Sequence, residues 1–206
     1  VCYSDRPLYL FSHPDKLMKD LWDRRYSETF EAYGTEPNDF VRAFAARIPE
    51  GPVLCLAGGE GRDAVFVAKL GHDVTTVDLS EVATANALKL AEAQGVQLTA
   101  IAADLGEWEL GEEQWAGIVS VWAHVPPPVR KGVHASCVRA LLPSGVLILE
   151  AYTPRQLERA GRGGPPGGEA VMAREGLREE RGGVTFERCV GVDRDGGEER
   201  YHHGRC

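Results

Sequence analysis

Val53-Leu-Cys-Leu-Ala-Gly-Gly-Glu-Gly-Arg62 decides the fold, together with the segment Val74-Thr-Thr-Val-Asp78 that follows it. The apolar run at its start reads as a buried strand, the glycines as a sharp turn, and Arg62 as the opening of a helix. The second segment reads as another strand that ends in a carboxylate. Glycine lets the backbone turn tightly and approach a ligand closely. The start of the following helix presents unpaired N–H groups and the positive end of its dipole. An acidic residue about 20 positions downstream, at the end of the second strand, is where a ribose diol is gripped in nucleoside-binding folds. The pattern describes a nucleoside-binding corner.

Spacing narrows the ligand. A Walker A loop is excluded, because no Gly-Lys-Ser or Gly-Lys-Thr follows the glycines. A dinucleotide fingerprint asks for three glycines in G-x-G-x-x-G. Here the candidate positions are Ala57, Gly59 and Gly61, and Ala64 stands where the third dinucleotide glycine would fall. That substitution is tolerated in some dinucleotide sites, so an oxidoreductase stays open as a distant alternative.

Later segments repeat one pattern in order. Ala102-Ala-Asp104-Leu105 closes a third strand, Trp115-Ala-Gly-Ile-Val-Ser-Val121 is a fourth, and Leu141-Leu-Pro-Ser-Gly145-Val-Leu-Ile-Leu-Glu150 gives a turn and a fifth. From about residue 50 to 152 this series resembles the class I S-adenosylmethionine-dependent methyltransferases. The resemblance implies S-adenosylmethionine as cofactor, with Ala57, Gly58, Gly59 and Gly61 around its methionine half. It also implies Asp78 and Leu79 at the ribose, Asp104 and Leu105 at the adenine, and Val121 beside them. Trp22-Asp23 and Tyr33-Gly-Thr-Glu-Pro-Asn-Asp-Phe40 look like the small-molecule branch that includes tellurite-resistance and thiopurine-type enzymes. In that family the N-terminal segment folds over the cofactor, which makes Trp22 a further cofactor-side candidate. Cys55 departs from the pattern, since many relatives carry an acidic residue there.

Composition sets limits. The chain has 206 residues, 43% of them hydrophobic, which suits one domain with a full core. A net charge of −8 argues against a nucleic-acid phosphate backbone as substrate, because such binding rests on lysine and arginine. No apolar run approaches a membrane span and no signal-peptide pattern opens the sequence. The expectation is a cytoplasmic protein with a small-molecule substrate, a monomer or weak dimer, without nucleic-acid or membrane partners. Cys2, Cys55, Cys137, Cys189 and Cys206 form no C-x-x-C pair and no metal-ligand spacing. Cys55 and Cys137 fall on predicted buried faces and read as small hydrophobes.

Alternating strands and helices predict a Rossmann-like, doubly wound, mostly parallel α/β sheet with helices on both faces. Strands are expected at Val53–Ala57, His72–Val77, Gln97–Ala102, Gly117–Trp122, Val146–Tyr152 and Val184–Val192. Helices are expected at Arg62–Leu70, from Ser80 as N-cap through Glu92, and from Pro126 to Leu142. Residues 1–49, with helical patterns at Lys16–Arg24 and Phe40–Ile48, form an N-terminal cap; residues 50–206 form the catalytic domain. Within it, 154–183 is an insertion containing Gly161-Arg-Gly-Gly-Pro-Pro-Gly-Gly168, read either as a substrate cover or as a plain flexible loop. The family's final antiparallel strand is missing from this pattern, and Val1 and Cys206 read as the ends of a fragment. Such a chain would leave the fifth strand with an unpaired edge.

On the acceptor side, His124 in Trp122-Ala-His-Val-Pro-Pro and Tyr152 after the fifth strand are the catalytic candidates. Imidazoles titrate near neutrality and suit proton transfer, and ligands of open α/β sheets bind at the carboxyl ends of strands. A packed loop histidine is the competing reading. Asp78 competes with a helix-capping role, Asp104 with a turn-capping one. Trp22 and Tyr26 offer aromatic core packing as readily as stacking on the adenine or the substrate. Glu60 and Arg62 either reach the carboxylate end of the cofactor or pair with each other. His202 and His203 read as a solvated tail or a metal-binding dipeptide. The implied activity is methyl transfer to a small molecule, a thiol or metalloid anion by resemblance. The alternative is a nucleoside-binding domain that has lost the chemistry.

Overall fold

Apolar residues at two periods, two in the strands and 3.6 in the helices, leave each element one face or two to bury. In the computed structural model, residues 14–158, 168, 171–179, 185–191, 195–198 and 202–205 are described. The N-terminal part holds α1 (Pro14–Glu28) and α2 (Asp39–Phe44), the latter continued by a 3-10 turn over Ala45–Arg47. The alternating region then runs β1 (Val53–Leu56), α3 (Arg62–Lys69), β2 (Val74–Asp78), α4 (Glu81–Ala93) and β3 (Thr99–Ala102). It continues through β4 (Trp115–Val121), α5 (Pro127–Ala140) and β5 (Leu141–Glu150).

These five strands form one parallel sheet in the order β3-β2-β1-β4-β5. Every strand therefore ends on the same edge. The chain winds outward from β1 in both directions, which opens a crevice between β1 and β4. All four residues of β1 are buried, as expected of a central parallel strand covered on both faces. Val53 and Cys55 pack with Val41, Ala45, Ala64 and Val67 on the α2–α3 face. Leu54 and Leu56 pack with Val133, Cys137 and Ala140 of α5 on the other. Each fully buried Val or Leu contributes about 1.5–3 kcal/mol relative to exposure. Cys55 and Cys137 are buried free thiols, and burial pushes the Cys55 thiol far above its ordinary pKa.

Ser80 caps α4, its hydroxyl accepting from the Ala83 N–H at 3.1 Å. Asn38 caps α2 in the same way, accepting from Phe40 and Val41. Two expectations need correction. The fifth strand starts at Leu141, directly from α5, where the sequence reads as helix. Leu141 pairs with Trp115 and Val146 with Gly117, so residues 142–145 bulge out of the strand. The Pro143-Ser144-Gly145 turn that marks a break in sequence is thus held inside the strand, with Ser144 at φ 67°. The strand expected at Val184–Val192 is not formed over the described residues 185–191. Val184 and Val192 lie outside the described residues. Instead β6 (Asp195–Glu198) and β7 (His202–Arg205) pair antiparallel as a separate two-stranded sheet, so His202 and His203 belong to a strand. Among the described residues β5 is an edge strand, and no helix is long and apolar enough to cross a membrane. Within the expected insertion, a 3-10 turn at Pro154–Glu158 and α6 (Arg174–Glu179) are formed, and the Gly161–Gly167 stretch lies outside the described residues.

Candidate functional site

Parallel pairing lines up the strand ends, and with them most of the predicted residues. After β1 the chain turns through Ala57, Gly58, Gly59 and Gly61. Ala57, Gly59 and Gly61 have φ of 47°, 53° and 83°, the left-handed region that glycine adopts without steric cost. Gly58 is required for a different reason. The Thr76 hydroxyl of β2, fully buried, occupies the place a Cβ on Gly58 would take. At Gly61 a Cβ would stand 2.7 Å from the Ala87 Cβ of α4. The turn therefore lies flat on β2 and α4, with Gly59 and Gly61 buried.

Asp78 closes β2 beside this turn and is 7% exposed. Its Oδ2 accepts from the Gly59 N–H at 2.8 Å and its Oδ1 from the Ser80 N–H at 2.9 Å. Burial raises its pKa, and those same N–H groups oppose the rise. Asp78 thus braces the glycine turn, while Ser80 alone caps α4. Leu79, half-buried, follows it. On the next strand Ala102 is paired with Asp78, and the Ala103 N–H donates to the Asp78 carbonyl at 2.9 Å. Two residues on, Asp104 Oδ1 accepts from the Gly106 N–H at 2.7 Å, a turn-capping bond that engages one carboxylate oxygen. Leu105 belongs to the core cluster on the α5 face and also lines a groove there beside Trp108 and Val129.

The other side of the crevice is aromatic. Val121 ends β4, half-buried against the α2–α3 core. Trp122 follows with φ 56°, a conformation uncommon for a bulky residue. Its N–H donates to the Glu150 carbonyl at 3.0 Å, and its carbonyl accepts from the His124 N–H at 2.8 Å. The Trp122 ring stacks on Tyr152 at 4.3 Å between centroids, and His124 stacks on Tyr152 at 5.3 Å. The two catalytic candidates are thus brought together, with Trp122 as the third ring. Tyr152 is only 3% exposed, and its carbonyl accepts from the Met172 N–H at 2.8 Å. Trp122 carried no spacing signal in the sequence; its positive φ could be seen only in the fold.

The polar residues of the turn do something the sequence did not indicate. Glu60 accepts from the backbone N–H groups of Glu31 (3.0 Å) and Ala32 (2.6 Å) and from the Asn86 amide (2.9 Å). Arg62 Nη1 donates to the Tyr33 carbonyl at 3.0 Å, and Asp63 accepts from the Asn38 N–H at 2.7 Å. The expectation that Glu60 and Arg62 reach a cofactor or each other is replaced by these contacts. Burial raises the Glu60 pKa, against the lowering effect of the three donors. These residues sew the segment after α1 to the glycine turn. Trp22 stacks on Tyr26 at 5.8 Å, with the Arg25 guanidinium 4.7 Å above its ring. Tyr26, Ala32 and Ala83 form the core of that cluster, with Trp22, Tyr33 and Val82 around them. The Tyr26 hydroxyl stands 2.9 Å from where a Cβ on Gly59 would be. Among the described residues no cluster of three or more His, Cys, Asp or Glu is arranged to hold a metal.

Residues 53–145 match the family model of a methyltransferase domain. No curated protein matches the chain in sequence. Solved structures share its fold. One comes from work on conversion of a disulfide bond into a thioacetal group during echinomycin biosynthesis. It is 22% identical with TM-score 0.60, over 79% of this chain and 77% of that one. The cyclase SpnF is 18% identical with TM-score 0.62, over 81% and 71%. The magnesium protoporphyrin IX methyltransferase of Synechocystis PCC 6803, solved with bound SAH, is 18% identical with TM-score 0.55, over 70% and 74%. Residues 53–145 thus resemble a methyltransferase domain, and the chain shares its fold with solved methyltransferases.

Proposed function

We propose that the chain transfers a methyl group from S-adenosylmethionine to a small-molecule acceptor. The observation that carries this reading is the order of groups along one sheet edge. A glycine turn follows β1, carboxylates end or follow β2 and β3, and a Trp–His–Tyr cluster follows β4 and β5. These residues fit the cofactor in kind. A ribose diol offers two O–H donors, and Asp78 is a carboxylate at the strand end that meets it. Gly59 and Gly61 have no side chain to stand between the turn and the methionine portion. Asp104 has a second carboxylate oxygen for the adenine amino group, and Leu79, Leu105, Val121 and Trp22 supply apolar flanks.

The bound sulfonium supplies an electrophilic methyl carbon. The protein's task is then to align an acceptor with it, and orientation can remove roughly 7–11 kcal/mol of barrier. The Trp122–Tyr152 stack gives a rigid wall for that alignment. His124, beside Tyr152, is placed to take a proton from an oxygen or nitrogen nucleophile; a thiolate or metalloid anion needs no base. By resemblance to the small-molecule branch we favour a sulfur, selenium or tellurium nucleophile.

A binding-only domain is the second reading, favoured by the engagement of both Asp78 oxygens with backbone N–H groups. Calorimetric titration with S-adenosylhomocysteine, with NADH in parallel, tests the cofactor. Binding of S-adenosylhomocysteine alone is expected; a tight NADH complex, or binding of neither, would sink the assignment. Methyl transfer across a panel of thiols and metalloid anions then separates enzyme from binding domain.

A further inference from the structure

We infer that the groove between α5 and the loop after β3 is a docking surface for a basic amphipathic helix of a partner protein. The groove holds about 740 Å³. At one end Gly106 comes against Val129, where an added Cβ would stand 3.5 Å away. At the other end the Glu113 and Gln114 N–H groups donate to the Arg139 and Ala140 carbonyls at 2.9 and 2.8 Å and close it. That closed end adjoins the starts of β4 and β5, on the sheet edge opposite to Asp78 and Trp122. The groove therefore lies on the flank of the domain, and the inference does not rest on the cofactor reading.

One face of α5 forms the floor. Pro128, Gly132, Ala135, Ser136 and Arg139 recur there at helical spacing, and a Cβ on Gly132 would meet nothing within 4 Å. Small residues in the middle of that face let a second helix approach at the short end of the usual 8–10 Å between axes. Trp108 and Val129, both half-buried, and Leu110, buried, give the walls apolar surface. From Val129 to Arg139 the floor runs about 15 Å, three turns of helix. The loop offers no ladder to an extended strand, because the N–H groups of Gly106, Glu107 and Trp108 are already given to Asp104. Recognition falls to side chains, as when an amphipathic helix is laid into a groove.

Charge selects the occupant. Glu107, Glu109 and Glu112 rim the groove and are exposed, and among the described residues none of them is in an ion pair. Arg139, the cation on the lining, donates to the Ser136 hydroxyl at 2.9 Å and so lies back along its own helix. Three carboxylates against one guanidinium leave the rim negative. Such a rim attracts lysine or arginine flanking an apolar stripe and repels an acidic helix. A second copy of this chain, with a net charge of −8, is a poorer match than a basic partner.

The test uses the full chain and a labelled peptide of about 14 residues, four turns of helix, with leucine on one face and lysine on both flanks. A matched peptide carries glutamate in place of lysine. In fluorescence anisotropy the lysine peptide should bind at least about tenfold tighter than the glutamate one, and added salt should weaken it. Gly132→Leu puts a side chain into the open floor and should weaken that binding at least about tenfold. The urea midpoint of this variant should be no lower, because leucine favours a helix over glycine. Lysine-peptide binding that survives Gly132→Leu would mean diffuse attraction to an acidic chain and would overturn the proposal. So would equal binding of the two peptides, or binding of neither. A dimer of the chain alone in sedimentation, dissociated by Gly132→Leu, would give the groove to a second copy and overturn the partner.

Discussion

On the β1–β2 side of the carboxyl edge, position is fixed by backbone. Gly59 and Ser80 donate to Asp78, Gly58 lies on Thr76, and left-handed residues carry the turn. On the β4–β5 side, position is fixed by side-chain rings. Trp122, His124 and Tyr152 stack on one another where their strands end. The first arrangement admits almost no change of residue, because atoms of the main chain have no alternative rotamer. The second can be altered ring by ring. A cofactor that stays the same and an acceptor that differs from protein to protein would call for this division, and the shared fold of a cyclase and a methyltransferase shows how far one scaffold can diverge in chemistry.

The division can be broken from the aromatic side first. Tyr152→Ala removes a nearly buried ring and should cost about 3–5 kcal/mol of stability by urea denaturation. Affinity for S-adenosylhomocysteine should be unchanged under conditions where the variant is folded; a parallel loss of affinity would mean that the two sides are one site. On the backbone side, Gly58→Ala drives a Cβ into the Thr76 hydroxyl and should destabilise by about 3 kcal/mol, at the upper end for overpacking. In a Thr76→Ala background the same change should cost much less, and a double-mutant cycle without coupling would refute the steric account.

Asp78→Ala sharpens the comparison by separating fold from binding. It leaves the Gly59 and Ser80 N–H groups without their acceptor and should weaken S-adenosylhomocysteine binding by about 1–3 kcal/mol in calorimetry. Unchanged affinity would leave Asp78 a purely structural brace. The smallest effect is that of pH. Glu60 and Asp78 are raised above their ordinary values of 4.5 and 3.8 by burial. A carboxylate raised in the fold stabilises the folded state while protonated, and unfolding releases that proton. Their contribution to stability should therefore fall as pH rises above about 4.5 and level off once both groups are ionised in the fold. Asp23 opposes this only below its ordinary 3.8, since despite burial its bonds to Lys19 and Ser80 hold it lower. The charged groups around Glu60 and Asp78 are Glu31, Asp23 and Tyr26, with Lys89 joined to Asn86 on α4. Of these, Tyr26 is raised, further from neutrality. Urea-denaturation stability that stays flat from about pH 4.5 to 7 would show that burial does not raise the two carboxylates.

Reading the sequence succeeded where a signal is local. Val53–Leu56, Val74–Asp78 and the Ser80-capped α4 fall within two residues of expectation, because strand period, glycine and cap are properties of a few neighbouring residues. It failed at Leu141, where pairing with Trp115 overrode a helical pattern, and at residues 185–191, where an apolar segment did not make a strand. For the site, it named the residues of the edge but misassigned Glu60 and Arg62 and passed over Trp122. The partners of Glu60 lie 26 to 29 positions away, and nothing in the local pattern records them.

What the sequence alone determined was the order of strands, turns and carboxylates, since alternation of apolar residues and placement of glycine act over short stretches of chain. What only the tertiary structure decided was that Tyr26 lies against the Gly59 that Asp78 braces, that Glu60 holds the segment after α1, and that Trp122, His124 and Tyr152 meet. Those contacts join residues far apart in the chain, and they form only because parallel pairing brings every strand end to one edge, where burial leaves each polar group to find its partner.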